Sequence, residues 1–278
     1  MTRTKIAQGA ALALLTVGAF STQASAVTLT PTAFTWSPGA VGLTGSNIVN
    51  ATNYNVADFA HIVINNSTGS FTESGALQVK NGFFNGSTPV ATPGLGTTYD
   101  LYYVFSATGT QGGVPIQGSG NSTSGSFTSL TYTLFGSHLG SPPITFSPTG
   151  VTDPNAPIAL ATGLLVPGTG TTTLTAPGGG GFSPKADLVV SLTPTAAGSP
   201  FFVSPSPTSL MFEIGDFSAT TSVTTLSSSG GSTTIDINGG GGNFTLALGP
   251  NVPVPEPASL ALLGAGLVSF GVLRRRKS

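Results

Sequence analysis

The sequence predicts an all-β body, an antiparallel β-sandwich in one or two lobes, flanked by an N-terminal signal helix and a C-terminal transmembrane helix. Three observations carry the β assignment. Apolar and polar residues alternate with period two in many short runs, turn-forming residues punctuate those runs, and no amphipathic helical pattern competes with them. The 278 residues include 39 Gly and 21 Pro, which supply the punctuation.

Taken in order, Arg3 and Lys5 precede an apolar stretch from Ala10 to Phe20 and the small-residue site Ala24-Ser25-Ala26. A basic start, an apolar middle and a small-residue end are the three parts of a cleaved signal peptide, with Ala24 and Ala26 at the signal peptidase site. Residues 1–26 are therefore set apart from the fold, and the body is expected over 27–252. Delivery through the Sec export machinery follows from such a peptide.

Within the body, Leu101, Tyr103 and Phe105 alternate against Asp100, Tyr102 and Val104, and Leu130, Tyr132 and Leu134 against Thr131 and Thr133. The same pattern returns at Leu188, Val190 and Leu192, at Leu210, Phe212 and Ile214, at Ile235 and Ile237, and at Phe244, Leu246 and Leu248. Half-buried strands with one polar face read this way. Asn81-Gly82 suggests a hairpin turn, because both residues accept the positive φ of a type I′ turn. Glycine-rich loops are expected over 109–125, 178–181 and 239–242. The proline-rich passage 141–157 is a candidate internal boundary.

The charge inventory is small, with 6% of residues charged and no Cys. Between the two ends the only basic residues are Lys80 and Lys185, against Asp58, Glu73, Asp100, Asp153, Asp187, Glu213, Asp216 and Asp236. An acidic body lacks the clustered cations that phosphates need, so no nucleic-acid partner is expected. Without Cys there is neither a disulfide nor a thiol nucleophile nor a thiolate metal site.

No catalytic set emerges, and no cofactor or metal is expected. His61 and His138 lie in strand-like runs with no Gly-x-Ser-x-Gly elbow to accompany them. Glu73 and Glu213 offer carboxylates for glycoside chemistry, but their spacing brings no two acids together, and they read as surface or turn acids. Asp236-Ile237-Asn238, followed by glycines, and Asp153 with Asn155 resemble fragments of a calcium turn without its downstream acidic ligand. Asn-x-Ser/Thr triplets at Asn50, Asn65, Asn66, Asn85, Asn121 and Asn243 mark exposed loops. The Thr-rich run 171–175 raises an ice-binding alternative, and Trp36 and Tyr102 are the aromatic candidates for stacking on sugar rings.

At the other end, Val254-Pro255-Glu256-Pro257 leads into the apolar run Ala258 to Leu273 and then into Arg274, Arg275, Arg276 and Lys277. The prolines hold their stretch extended and open to a processing enzyme. A helix over the apolar run would rise about 24 Å at ~1.5 Å per residue, a short membrane span, with the basic end as its cytoplasmic stop. This order of segments resembles the PEP-CTERM sorting domain. The resemblance implies a membrane exosortase as processing partner and a location in the cell envelope or extracellular matrix after transient anchoring in the inner membrane.

The body is similar to flocculation-associated PEP-CTERM proteins. The similarity rests on Tyr99-Asp100-Leu101-Tyr102 with Thr108-Gly109-Thr110, on Leu160-Ala161-Thr162-Gly163, and on Phe201-Phe202-Val203-Ser204-Pro205-Ser206-Pro207. It implies a structural or adhesive role with extracellular polysaccharide in aggregation. An extracellular carbohydrate-active enzyme and a calcium- or ice-related binding module stand as the alternatives.

Overall fold

A computed structural model describes residues 29–178, 181–206, 211–218 and 223–249. The predicted signal helix and the predicted membrane helix both lie outside the described residues.

The chain enters through β1 (Thr30–Pro31), β2 (Phe34–Trp36) and β3 (Ile48–Ala51) before the first long pair, β4 (Asn53–Asn65) and β5 (Ser70–Phe84). Then come β6 (Thr88–Val90), β7 (Tyr99–Gln111), β8 (Ser122–His138), β9 (Thr145–Ser147) and β10 (Gly150–Thr152). The second half holds β11 (Ile158–Leu164), β12 (Thr171–Thr175), β13 (Ser183–Pro194), β14 (Phe202–Ser204), β15 (Met211–Ser218), β16 (Val223–Ser229) and β17 (Ser232–Leu248). All pairings between named strands are antiparallel, and the alternations anchored on Leu101, Leu130, Leu188, Ile235 and Phe244 all fall in strands.

The opposed, packed walls expected of a sandwich are present, and both belong to one sheet. Strand neighbours run β4, β5, β7, β8, then β11 and β12 sharing one position, then β13, β15 and β17. β17 also pairs with β4, from Ser232 opposite Asn65 to Thr245 opposite Asn53, so the sheet closes into a barrel. Closure removes both edges of the sheet, and a closed wall of about this many strands leaves a lumen that side chains can fill. Strand alternation reads directly from sequence, whereas which two edges meet is a property of the whole chain.

Three expectations change. Asn81 and Gly82 lie inside β5, opposite Asn55 and Tyr54, and the turn falls one Asn-Gly later, at Asn85 (φ 49) and Gly86 (φ 78). Gly239 to Gly242 form no loop: they sit within β17, where a bulge between Asn238 and Gly240, with Gly239 at φ 84, bends the strand as it closes the ring. The expected loop from Gly109 to Gly125 is shorter, since β7 runs on to Gln111 and β8 begins at Ser122. Of the expected loop at 178–181, residues 179 and 180 lie outside the described residues.

The proline-rich passage carries the small hairpin β9–β10, laid against the outside of β4 and β5. Phe146 stacks on Phe59 at 5.4 Å and meets Tyr102 edge-on at 5.7 Å. On either side of this passage β8 pairs with β11 and β12, so strands before and after it share the sheet. A separate three-stranded sheet of β14, β2 and β3 plugs the lumen where β4 begins, with Trp36 stacked on Phe34 at 4.3 Å and tilted against Tyr54 at 5.1 Å.

Candidate functional site

Two regions of the molecule gather polar groups: the lumen of the barrel, and its outer wall across β5, β7, β8 and β12.

Inside, the inward face of β15 carries Met211, Glu213, Gly215 and Phe217, while Phe212 and Ile214 face outward and are only half-buried. The strand is where the sequence put it, with its faces exchanged. Glu213 is thereby 0% exposed, a correction to its reading as a surface acid. Its burial is tolerable because three tyrosines converge on it from β4, β7 and β8. Tyr54 and Tyr103 donate to Oε1, the latter at 2.7 Å, and Tyr132 donates to Oε2 at 2.8 Å. The Tyr54 and Tyr103 hydroxyls also lie against each other, so one of their two protons is shared between Oε1 and the neighbouring hydroxyl. Burial pushes the Glu213 carboxyl above its ordinary range, and the three hydroxyls pull it part of the way back. Burial and then the Glu213 charge hold the Tyr103 and Tyr132 phenols well above theirs. Gly163 leaves the room for this arrangement, since a Cβ there would strike the Tyr132 ring.

Next along the lumen is a cavity of about 60 Å³ lined by Asp58, Glu73, Phe105, Phe127 and Phe244 among others, with Tyr103 and Tyr132 on its inner wall. Asp58 is 5% exposed, and its Oδ1 has no hydrogen-bond partner. Burial raises the Asp58 carboxyl to about 7, and burial with the Asp58 charge raises the half-buried Glu73 to about 8. The structure therefore places on one cavity two acids that sequence spacing left apart, because β4 and β5 are neighbours whose inward faces carry them, Asp58 opposite Leu77 and Glu73 opposite Ile62. The cavity is smaller than the ~150 Å³ that admits a benzene ring, so a pyranose does not fit between these acids.

Outside, exposed hydroxyls line up across strands. Thr72 of β5 lies opposite Thr108 of β7, which lies opposite Ser129 of β8. A second row runs Ser70, Thr110, Ser126 and Thr171, and a third Ser74, Ser106 and Thr131. A bulge between Thr108 and Gly109 turns both Thr128 and Ser129 outward, and the Thr108 hydroxyl lies 2.9 and 2.8 Å from theirs. Beside it opens a groove of about 410 Å³ with Thr128, Ser129 and Thr131 on one side and Leu164, Leu165 and Pro167 on the other. No charged side chain lines it.

The remaining sequence candidates fall elsewhere. Trp36 and Tyr102 are each 1% exposed, so neither presents a ring to a sugar: Trp36 belongs to the aromatic plug, and Tyr102 stacks on Phe135 at 5.5 Å beneath the β9–β10 hairpin. Asp236-Ile237-Asn238 is strand, with Asp236 paired across the seam to His61 at 2.6 Å, so it forms no calcium turn. Asp153 accepts from the Tyr102 hydroxyl at 2.8 Å and from the Asn155 backbone at 2.8 Å. His138 is exposed at the end of β8. Among the described residues no three His, Cys, Asp or Glu side chains form a group able to hold a metal. Residues Ala24, Ala26, Val254 to Pro257 and Arg274 to Lys277 lie outside the described residues.

What sequence reasoning missed is the Glu213 cluster and the Asp58–Glu73 cavity. A signal existed in the placement of Tyr103 and Tyr132 on the apolar side of their alternations, since a buried phenol needs a polar partner.

Comparison with known proteins finds the PEP-CTERM protein-sorting motif at residues 253–277. No curated protein and no solved structure matches the chain.

Proposed function

We infer that the chain, which carries a PEP-CTERM protein-sorting motif at residues 253–277, is exported, handled by exosortase and held transiently in the membrane. We propose that its body is a non-catalytic surface or matrix protein that contacts neutral exopolysaccharide and promotes aggregation of cells into flocs or biofilm. The observation that supports this reading is the outer wall: rows of exposed Ser and Thr beside an uncharged groove of about 410 Å³.

Hydroxyls on the wall match hydroxyls on a sugar, and the apolar side of the groove suits the C–H face of a pyranose. Each such hydrogen bond exchanges with water and nets only about 0.5–1.5 kcal/mol, so useful retention on a polymer needs many weak contacts at once. The lumen acids support a non-catalytic reading because the space between them is too small for a sugar ring. An ice-related role has one supporting observation, the hydroxyl rows, but the twist of a closed wall and the bulge at Thr128 interrupt a flat repeat.

The test is co-sedimentation of the exported protein with the producing strain's own exopolysaccharide, alongside the triple variant Thr108→Val, Ser129→Ala, Thr131→Val. Retention reduced severalfold in the variant, with unchanged melting and weakened floc formation in the deletion strain, is the expected result. Equal retention of both proteins, or flocs unaffected by deletion, removes the adhesive reading.

A further inference from the structure

The lumen acids have no part in the adhesive reading, and one of them is anomalous. Asp58 lines the cavity, is buried to 5% exposure, and has an oxygen, Oδ1, without a hydrogen-bond partner. We propose that this cavity is a binding site for a primary ammonium group, with Asp58 as its principal acceptor, Glu73 as the second acid and aromatic rings as its walls.

Three observations select this ligand class. The cavity measures about 60 Å³, above the ~10–15 Å³ that one water needs and below the ~150 Å³ that admits a benzene ring, so it suits a small group such as methylammonium. Its lining is dominated by apolar and aromatic residues such as Phe105, Phe127, Phe217 and Phe244, whose faces attract a cation. That lining offers too few oxygens for a hard metal ion: calcium takes about 6–8 oxygen ligands, and the Tyr103 and Tyr132 hydroxyls are already committed to Glu213 at 2.7 and 2.8 Å. An ammonium is satisfied by one or two acceptors with ring faces around its methyl.

The titratable groups around the cavity are Asp58 on β4, Glu73 on β5, Tyr103 on β7, Tyr132 on β8 and Lys185 on β13, with Glu213 on β15 one layer deeper. Lys185 does not occupy the site, since its ammonium lies 3.4 Å from Asp187 and 3.8 Å from Asp216 on the outer surface. Binding a cation favours the ionised carboxylate, so the complex forms with release of a proton from an acid that burial keeps protonated near neutrality. Affinity therefore strengthens as pH rises.

The experiment titrates the exported protein with methylammonium chloride at pH 6 and pH 8, read by calorimetry, with methanol as the uncharged control of similar size. Expected are saturable binding about tenfold tighter at pH 8, because an acid titrating near 7 is mostly protonated at pH 6, no binding of methanol, and loss of binding in Asp58→Asn. A parallel arm with an amine-bearing polymer separates the sources: binding of polymer and free amine alike places the mouth within reach of a tethered amine, and binding of methylammonium alone makes the ligand a free small molecule. Should Asp58→Asn fail to fold, carbon NMR of the Asp58 carboxyl in the unmodified protein replaces it, and methylammonium is expected to lower its titration midpoint by a unit or more. Equal uptake of methanol and methylammonium, retained binding in Asp58→Asn, or an unmoved Asp58 midpoint overturns the proposal and leaves a cavity holding water only.

Discussion

The lumen treats two buried acids in opposite ways. Glu213 accepts hydrogen bonds from Tyr54, Tyr103 and Tyr132, while Asp58, farther along the same lumen, has an oxygen with no donor at all. Both lie on inward strand positions, and both carboxyls are pushed up by burial. The contrast separates a polar group that organises a core from one that merely occupies it. A fully satisfied network fixes the positions of four strands at once, whereas an unsatisfied acid subtracts from stability unless a proton or a ligand attends it.

The sharpest way to break this comparison is Glu213→Leu. It removes the acceptor shared by three buried phenols, leaving Tyr54 and Tyr103 only each other and Tyr132 only the Ser191 carbonyl at 3.0 Å, and at about 1.5–3 kcal/mol for each hydrogen bond to the carboxylate, partly replaced by these contacts, the loss should reach about 3–5 kcal/mol in urea unfolding. A neutral result would mean that the tyrosines do not depend on Glu213.

Next in size is the response to pH. Asp58 titrates near 3.8 when unfolded and at about 7 when folded, so between those values the folded state binds the extra proton. Stability is then complete below about pH 4 and falls as pH rises toward 8, by on the order of 3–4 kcal/mol from Asp58. Glu73, raised to about 8, acts in the same direction. Unfolding midpoints measured from pH 4 to pH 8.5 should decline steadily, opposite to the course expected of salt-bridged carboxylates, and decline less steeply in Asp58→Asn, where the Glu73 contribution remains.

The smallest effect carries the opposite sign to the first. Asp58→Leu removes an unpaired polar group and fills part of an apolar cavity, so at pH 8 it should stabilise the protein by about 1–2 kcal/mol. Loss of stability there would show that Asp58 has a structural partner of its own.

Much of the fold was legible in the sequence because strand alternation is a local property. Leu101, Leu130, Leu188 and Phe244 each anchored a run that became a strand. What stayed hidden was non-local. The face that β15 turns inward depends on tyrosines contributed by three distant strands, so Phe212 and Ile214 looked like the buried set and Glu213 like a surface acid. Gly239 to Gly242 looked like a loop because a bulged strand and a flexible linker use the same residues. Trp36 and Tyr102 were attractive as exposed rings only until the plug and the β9–β10 hairpin covered them. The sorting motif at residues 253–277 was legible, since its order of segments is written linearly.

The seam between β4 and β17 joins residues 53–65 to residues 232–245. Closing it waits until nearly the whole body is present and ordered, which places the step late in folding and makes it slow relative to forming the β4–β5 hairpin. During that interval the free edges of β4 and β15 are templates for any other strand, including the β17 of a neighbouring copy. The ring that makes each molecule self-contained is thus also the element through which two immature molecules would exchange strands, and timely arrival of the last strand is what keeps the exported chains apart.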